Sequence, residues 1–198
     1  MIRRDANHPS VALWSVGNEV GEQSYTDELR TIATMLHGIS HDEDHTRPIT
    51  ASMNAASPNN AGFPFPEILD VLSLNYQGEG IRDTPNFSNL SGSVVPPAYP
   101  IFHNAYPDKL LWESESAATV DTRGTYFFPL TGNDGAPVND TSGGNSTLGQ
   151  VSAYGLYASN FGAPPDKVFR TQDQDPYVGG DFVWSGPDYI GKPLSVWL

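Results

Sequence analysis

Cysteine is absent from all 198 residues. That removes disulfide frameworks, thiolate metal sites and thiol nucleophiles from consideration. Cations are scarce, with 10 Lys and Arg against 23 Asp and Glu and a formal net charge of −13. So acidic a chain is a poor partner for nucleic-acid phosphates or an anionic membrane surface, and neither is expected to bind. Long apolar runs are missing too. Nothing approaches the ~18 consecutive apolar residues of a membrane span. Met1-Ile2-Arg3-Arg4 leads directly into polar Asp5-Ala6-Asn7, so neither a signal peptide nor a membrane segment is expected. What remains is 38% hydrophobic and 11% aromatic, enough for a packed core and against wholesale disorder. The length fits one domain or a piece of one, and 19 Gly with 17 Pro foretell long loops.

Short apolar runs alternate with helical patterns. Residues 11–16 read as a buried strand, entered through His8-Pro9-Ser10 and stopped by Gly17. Leu29, Ile32, Ala33, Leu36 and Ile39 recur at helical spacing on one face. Ser24 or Thr26 could cap that helix, and Asp27 and Glu28 suit the positive end of its dipole. Further strands are expected at 49–53, 71–75, 110–112 and 177–184, with short helices at 101–106 and 166–172 and weak helicity at 152–159. A loop rich in Asn, Pro and Gly covers 54–66, and a long insertion-like loop spans about 121–149. Strands joined by wide crossovers imply a parallel sheet, hence an α/β fold. The run His41-Asp42-Glu43-Asp44-His45 has the residue types for a divalent metal, but a solvated helix-to-strand loop is the plainer reading and no metal site is expected. Four Asn-x-Ser/Thr sequences, at Asn86, Asn89, Asn139 and Asn145, are read as chance.

Two carboxylates emerge where buried strands open into loops: Glu19 after Val16, and Glu115 after Trp112. In parallel-sheet enzymes the chemistry sits at C-terminal strand ends. A protonated and an ionised carboxyl placed there could serve as general acid and nucleophile on a glycosidic bond. Taken singly, strand-end glutamates are more often plain loop charges, and their separation along the chain carries no chemical meaning. Their surroundings carry more.

The segment Asn7-His8-Pro9-Ser10-Val11-Ala12-Leu13-Trp14-Ser15-Val16-Gly17-Asn18-Glu19 resembles the acid/base motif of glycoside hydrolase family 2, the β-galactosidase family. Ser114-Glu115-Ser116-Ala117 followed by Thr122-Arg123-Gly124-Thr125-Tyr126 is similar to the nucleophile segment of its bacterial branch. Residues 177–193 resemble the strand 8 segment, although Pro187 and Lys192 replace the usual apolar residue and Glu. Asp70-Val71-Leu72-Ser73-Leu74-Asn75-Tyr76 resembles strand 6. The resemblance implies a (β/α)8 TIM-type barrel that is incomplete, residues 1–198 holding strands 4–8 only. It also implies a retaining exo-β-glycosidase acting on terminal β-D-galactosides through a covalent glycosyl-enzyme.

In that reading Glu19 is the acid/base and Glu115 the nucleophile. Asn18 holds the sugar 2-hydroxyl, Tyr76 donates to Glu115, and Trp184 forms an apolar floor under the sugar. Glu113 is a rival for the nucleophile, because residues i and i+2 of a strand face the same side. A core position is the rival for Trp184, and Asn54 is a cleft residue without an assigned role. β-Mannosidase and β-glucuronidase are alternative specificities. The second is disfavoured because Lys192 is the only cation near strand 8 and the glucuronidase Asn-x-Lys motif is missing. A catalytically inert barrel fragment is the alternative of another class. The expected partners are a β-galactoside or oligosaccharide and a second copy through open barrel edges; no cofactor is expected.

Overall fold

The computed structural model describes residues 1–24, 26–55, 65–81, 95–118, 163 and 165–184, the side chains of 22, 24, 26 and 166 excepted. The insertion-like loop at 121–149, the weak helix at 152–159, the segment 185–193, the four Asn-x-Ser/Thr sites and the two capping side chains lie outside this set.

After a short α1 (Ile2–Asp5), five strands follow in order: β1 (Trp14–Asn18), β2 (Ile49–Met53), β3 (Leu72–Asn75), β4 (Leu111–Ser116) and β5 (Val178–Val183). A 3-10 turn, Gly21–Ser24, and α2 (Thr26–Glu43) connect the first two strands. Then come α3 (Phe65–Ile68) before β3, α4 (Tyr99–Ala105) before β4 and α5 (Pro165–Gln174) before β5. Every strand pair is parallel, and the spatial order is the chain order. The fold is α/β, with strands succeeding one another as they do around a barrel.

Strand alternation divides the sheet into two unlike faces. Ala51, Met53, Leu72, Leu74 and Leu111 join Leu29, Ala33, Phe65, Leu69, Ala98, Tyr99 and Phe102 in one buried cluster on the helix side. The alternate positions are polar. Thr50 Oγ1 and Ser73 Oγ lie 2.7 Å apart, Thr50 Oγ1 donates to Val71 O at 2.8 Å, and Trp112 Nε1 donates to Ser73 Oγ. Hydrogen bonding within the layer offsets the cost of burying these hydroxyls.

The helical stripe of α2 is narrower than its apolar spacing suggests. Leu29, Ala33 and Ser40 are buried, whereas Ile32 and Ile39 are exposed, rotated by about 80–100° from the centre of the contact face at ~100° per residue. The acidic run 41–45 is not a solvated loop either. The helix continues through Glu43, which pairs with Arg3, while His41 turns to Asp70. Buried Asp44 accepts from Trp14 Nε1 (2.9 Å), Thr46 N (2.9 Å), Thr46 Oγ1 (2.6 Å) and Arg47 Nη1 (2.7 Å). It ties the α2–β2 turn to the start of β1.

These donors, the Thr46 hydroxyl first and then Trp14 and the Thr46 amide, hold the Asp44 carboxyl well below the usual carboxylate range. Its contribution to stability is therefore present above the unfolded-state value of about 3.9 and is lost as pH falls through the lower folded value. Urea midpoints measured from about pH 6 down to about pH 2 should fall less steeply for Asp44→Asn than for the parent chain. Asp44→Ala should have a lower midpoint throughout the upper part of that range.

Candidate active site

The C-terminal strand ends open onto a cleft of about 550 Å³ lined by Asn18, Glu19, Asn54, Asn75, Tyr76, Ile81, Glu115 and Trp184. All five site residues expected from the sequence meet there, together with Asn54. Trp184 is 41% exposed and lines the cleft rather than the core. Its amide donates to Ser116 O at 2.9 Å.

Asn75, the last residue of β3, organises the floor. Its side chain is fully buried; Nδ2 donates to Glu19 Oε1 at 2.9 Å and to Asn18 Oδ1 at 3.2 Å, while Oδ1 accepts from Ser114 Oγ at 2.7 Å. The next residue, Tyr76, donates its phenol to Glu115 Oε2. One dipeptide thus reaches both carboxylates. Asn75 lies within the segment 70–76 that resembles strand 6, but nothing local in that segment marks it as the contact between the two strand ends. Asn54 is held in the wall by Gln23 Nε2, 2.5 Å from its Oδ1.

The rivalry between Glu113 and Glu115 rests on two-residue alternation, and the pairing breaks that alternation. Leu74 lies opposite Glu113 and Asn75 opposite Glu115, so Ser114 is an extra residue in β4. Such a bulge re-aims the side chain that follows it. Glu115 turns into the cleft, while Glu113 stays on the helix side and is fully buried. Ser114 Oγ secures the bulge by donating to Leu74 O at 3.0 Å as well as to Asn75.

Glu113 has other partners. Gly78 N donates to its Oε1 at 3.1 Å and the Tyr99 hydroxyl to its Oε2. Its carboxyl also lies within hydrogen-bonding reach of buried Glu79. Glu79 Oε1 accepts from Ala117 N at 3.0 Å, and Glu79 Oε2 is buried with no other donor among the described residues. Two carboxyl groups facing each other away from water need a proton between them. Burial first, then the neighbouring charge, pushes Glu113 well above the usual range; burial also raises Glu79, against the pull of Glu113, Ala117 and Lys167. Lys167 Nζ closes the unit on Glu79 O (2.5 Å) and Gly80 O (2.9 Å). Gly78 must be glycine here, since a Cβ would stand 2.2 Å from Tyr99 Cε1.

The strand ends are also where the backbone leaves its ordinary regions. Glu19 (φ 47°), Tyr76 (φ 60°), Ala117 (φ 65°) and Ala118 (φ 56°) are all left-handed without being glycine, at a cost of roughly 1–2 kcal/mol each. Glu115 is raised from its ordinary value, by burial first and then by the charge of Glu19. The Tyr76 phenol and the Asn75 and Asn18 amides pull the other way.

A parallel sheet in barrel order, with a glutamate pair and an aromatic wall in one strand-end cleft, defines an α/β-barrel chain with an acidic cleft. Residues 1–84 match the family described as Glycosyl hydrolases family 2, TIM barrel domain, and the chain belongs to glycoside hydrolase family 2. It is 30% identical to the β-galactosidase BoGH2A of Bacteroides ovatus, over 97% of this chain and 24% of that protein. It is 27% identical to the β-glucuronidase of Sus scrofa, over 61% of this chain and 18% of that protein. The solved structure of a Faecalibacterium prausnitzii β-glucuronidase shares the fold at a TM-score of 0.57 and 23% identity, across 93% of this chain and 26% of that one. The chain thus spans about a quarter, or less, of the relatives it matches.

A proton held by the Glu79–Glu113 pair in the folded state is released on unfolding above about pH 4.3. Stability from this pair is complete below that value and is lost as pH rises through the elevated folded range. Unfolding midpoints of the parent chain should therefore decline toward alkaline pH. Glu113→Gln keeps a donor toward Glu79 and should flatten the decline, whereas Glu113→Ala strands Glu79 and Gly78 N and should cost about 2–5 kcal/mol.

Proposed function

We propose that the cleft belongs to a retaining exo-β-glycosidase that hydrolyses terminal β-D-galactosides. The observation that carries this is the arrangement of Glu19 and Glu115 on one cleft, each oriented by its own donor, Asn75 and Tyr76. Glu115 attacks the anomeric carbon while Glu19 gives its proton to the departing glycosidic oxygen. Water, deprotonated by Glu19, then displaces the Glu115 ester and restores both groups. Tyr76 occupies Glu115 Oε2, which leaves Oε1 to attack. In the covalent intermediate Glu115 loses its charge, so the Coulombic burden each carboxylate places on the other is relieved as the bond forms. Trp184 supplies an apolar face for the sugar C–H face, and Asn18 a polar partner for the 2-hydroxyl.

The charge of the cleft favours a neutral sugar. Its described lining holds two carboxylates and no Lys or Arg, so a glucuronate carboxylate would meet repulsion without a counter-ion. This agrees with the lack of an Asn-x-Lys motif in the sequence. The second reading is a chain without turnover of its own that associates through strand edges. Among the described residues β1 pairs with β2 alone and β5 with β4 alone, so each offers an unpaired edge to a second copy.

Assay of the 198-residue chain on an aryl β-galactoside separates the two readings; no turnover at micromolar protein supports the second. If the chain turns over, Glu115→Ala should lose roughly 10⁴-fold or more in kcat. Azide then enters from the vacated face and should yield the α-galactosyl azide. Glu19→Ala, assayed with a good leaving group, should give the β-azide, because azide replaces water after the first inversion. An α-azide formed by Glu113→Ala and not by Glu115→Ala would reverse the assignment.

Tyr76→Phe removes a donor that stabilises ionised Glu115. The acid limb of kcat/KM should therefore move to higher pH while the alkaline limb stays in place. An unmoved acid limb would take Tyr76 out of the assignment.

A further inference from the structure

At the other end of the strands, three side chains converge that the cleft does not use. His37 and His41 are one turn apart on α2 and so share a face. Their rings stand 4.5 Å apart between centroids. His37 Nε2 is 3.2 Å from Asp70 Oδ1, and His41 Nε2 is 2.8 Å from Asp70 Oδ2. One donor atom from each residue lies within 4.8 Å of the others. Asp70 is itself held in place, since its Oδ2 accepts Ile49 N at 2.8 Å.

We propose that His37, His41 and Asp70 bind one divalent transition-metal ion of the zinc, nickel or cobalt class. Two imidazole nitrogens with one carboxylate oxygen suit such borderline ions; magnesium and calcium prefer all-oxygen shells. The side chains are 25%, 35% and 35% exposed, so an ion can enter and water can complete its shell. The Ile49 amide on Asp70 is the outer contact that commonly orients a ligating carboxylate. The nearby cation Lys109 engages the Pro66, Glu67 and Leu69 carbonyls at 2.7, 2.9 and 2.6 Å. It remains close enough to feel the Asp70 charge, which weakens the site without occupying it.

Without metal, both imidazoles can donate to the two oxygens of Asp70. With metal, the ion replaces those two hydrogen bonds and joins α2 to the entry of β3. Tyr76 and Asp70 flank opposite ends of that strand, about 20 Å apart at ~3.3 Å per residue. The ion therefore acts as a clamp on the fold and takes no part in the cleft chemistry.

Equilibrium dialysis and calorimetric titration of the untagged 198-residue chain with Zn²⁺, and visible spectroscopy with Co²⁺, test the site. One Zn²⁺ per chain is expected, with a saturable rise in the thermal midpoint and a Co²⁺ d–d band of nitrogen–oxygen type. Excess Mg²⁺ or Ca²⁺ should not compete. His41→Ala and His37→Gln, both on the partly exposed face of a long helix, should each weaken Zn²⁺ binding on the order of 100-fold and abolish the Co²⁺ band. His45→Ala and His103→Ala should leave both unchanged. No stoichiometric Zn²⁺, or Zn²⁺ bound equally well by both the His37 and His41 variants, would overturn the assignment.

Discussion

Ser114 adds one residue to β4 between Glu113, opposite Leu74, and Glu115, opposite Asn75, and the division of labour among the acids follows from that insertion. Without it, both glutamates would project to the same side by strand alternation, either crowding the cleft or burying a second charge under the helices. With it, Glu115 reaches the Tyr76 phenol and Glu113 reaches Gly78 N and Tyr99. The bulge is held by its own hydroxyl: Ser114 Oγ donates to Leu74 O and to Asn75 Oδ1. Since Asn75 also donates to Glu19, the residue that sets the β4 phase bears on both carboxylates at once.

The buried Glu79–Glu113 pair is the counterpart of the open pair. Four of the described glutamates stand near the same strand ends, and their surroundings divide them into two couples of different character. Glu19 and Glu115 share a cleft with amide and phenol donors. Glu79 and Glu113 share a dry pocket closed by Tyr99, Lys167 and the backbone of Gly78 and Ala117. The dry pair anchors the loop after β3 to the residues just after β4, so the backbone segments carrying Tyr76 and Glu115 are tied together from below. A buried acid pair is weak as a source of stability. Its geometric effect here is to fix two loops relative to one cleft.

The α/β class, the five strands and the strand-end glutamates were legible in the sequence because each rests on a local signal: apolar runs, breakers, and motifs continuous along the chain. The strand at residues 49–53 matches β2 residue for residue. What could not be read depends on contacts distant in sequence. Two-residue alternation predicted a shared face for Glu113 and Glu115, and a bulge is invisible until the partner strand is in place. Ile32 and Ile39 fit the helical period of Leu29 and Ala33, but the width of the buried stripe is decided by the sheet beneath it. The acidic run 41–45 looked like one solvated unit. Its His41, Glu43 and Asp44 face three different partners, respectively Asp70, Arg3 and the Trp14–Thr46–Arg47 group. Gly78-Glu79-Gly80 carried no signal of its own because its meaning comes from Tyr99 and Glu113.

The two ends of the strands bear opposite kinds of burden. The four non-glycine left-handed residues among those described, Glu19, Tyr76, Ala117 and Ala118, all follow C-terminal strand ends. The two glutamate pairs cluster there too, with Glu79 Oε2, a buried oxygen that no amide or hydroxyl reaches among the described residues. At the N-terminal ends Asp44 and Asp70 are satisfied by several donors each and lock helix to strand. Strain of order 1–3 kcal/mol per site persists only where the surroundings over-determine the conformation. The apolar helix side and the polar staples at the far end supply that constraint. A metal clamp between His37, His41 and Asp70 would fall on the stabilising end, where added rigidity leaves the strained, cleft-bearing end unaltered. This separation lets a fold harden one rim of its sheet while the other keeps its strained cleft geometry.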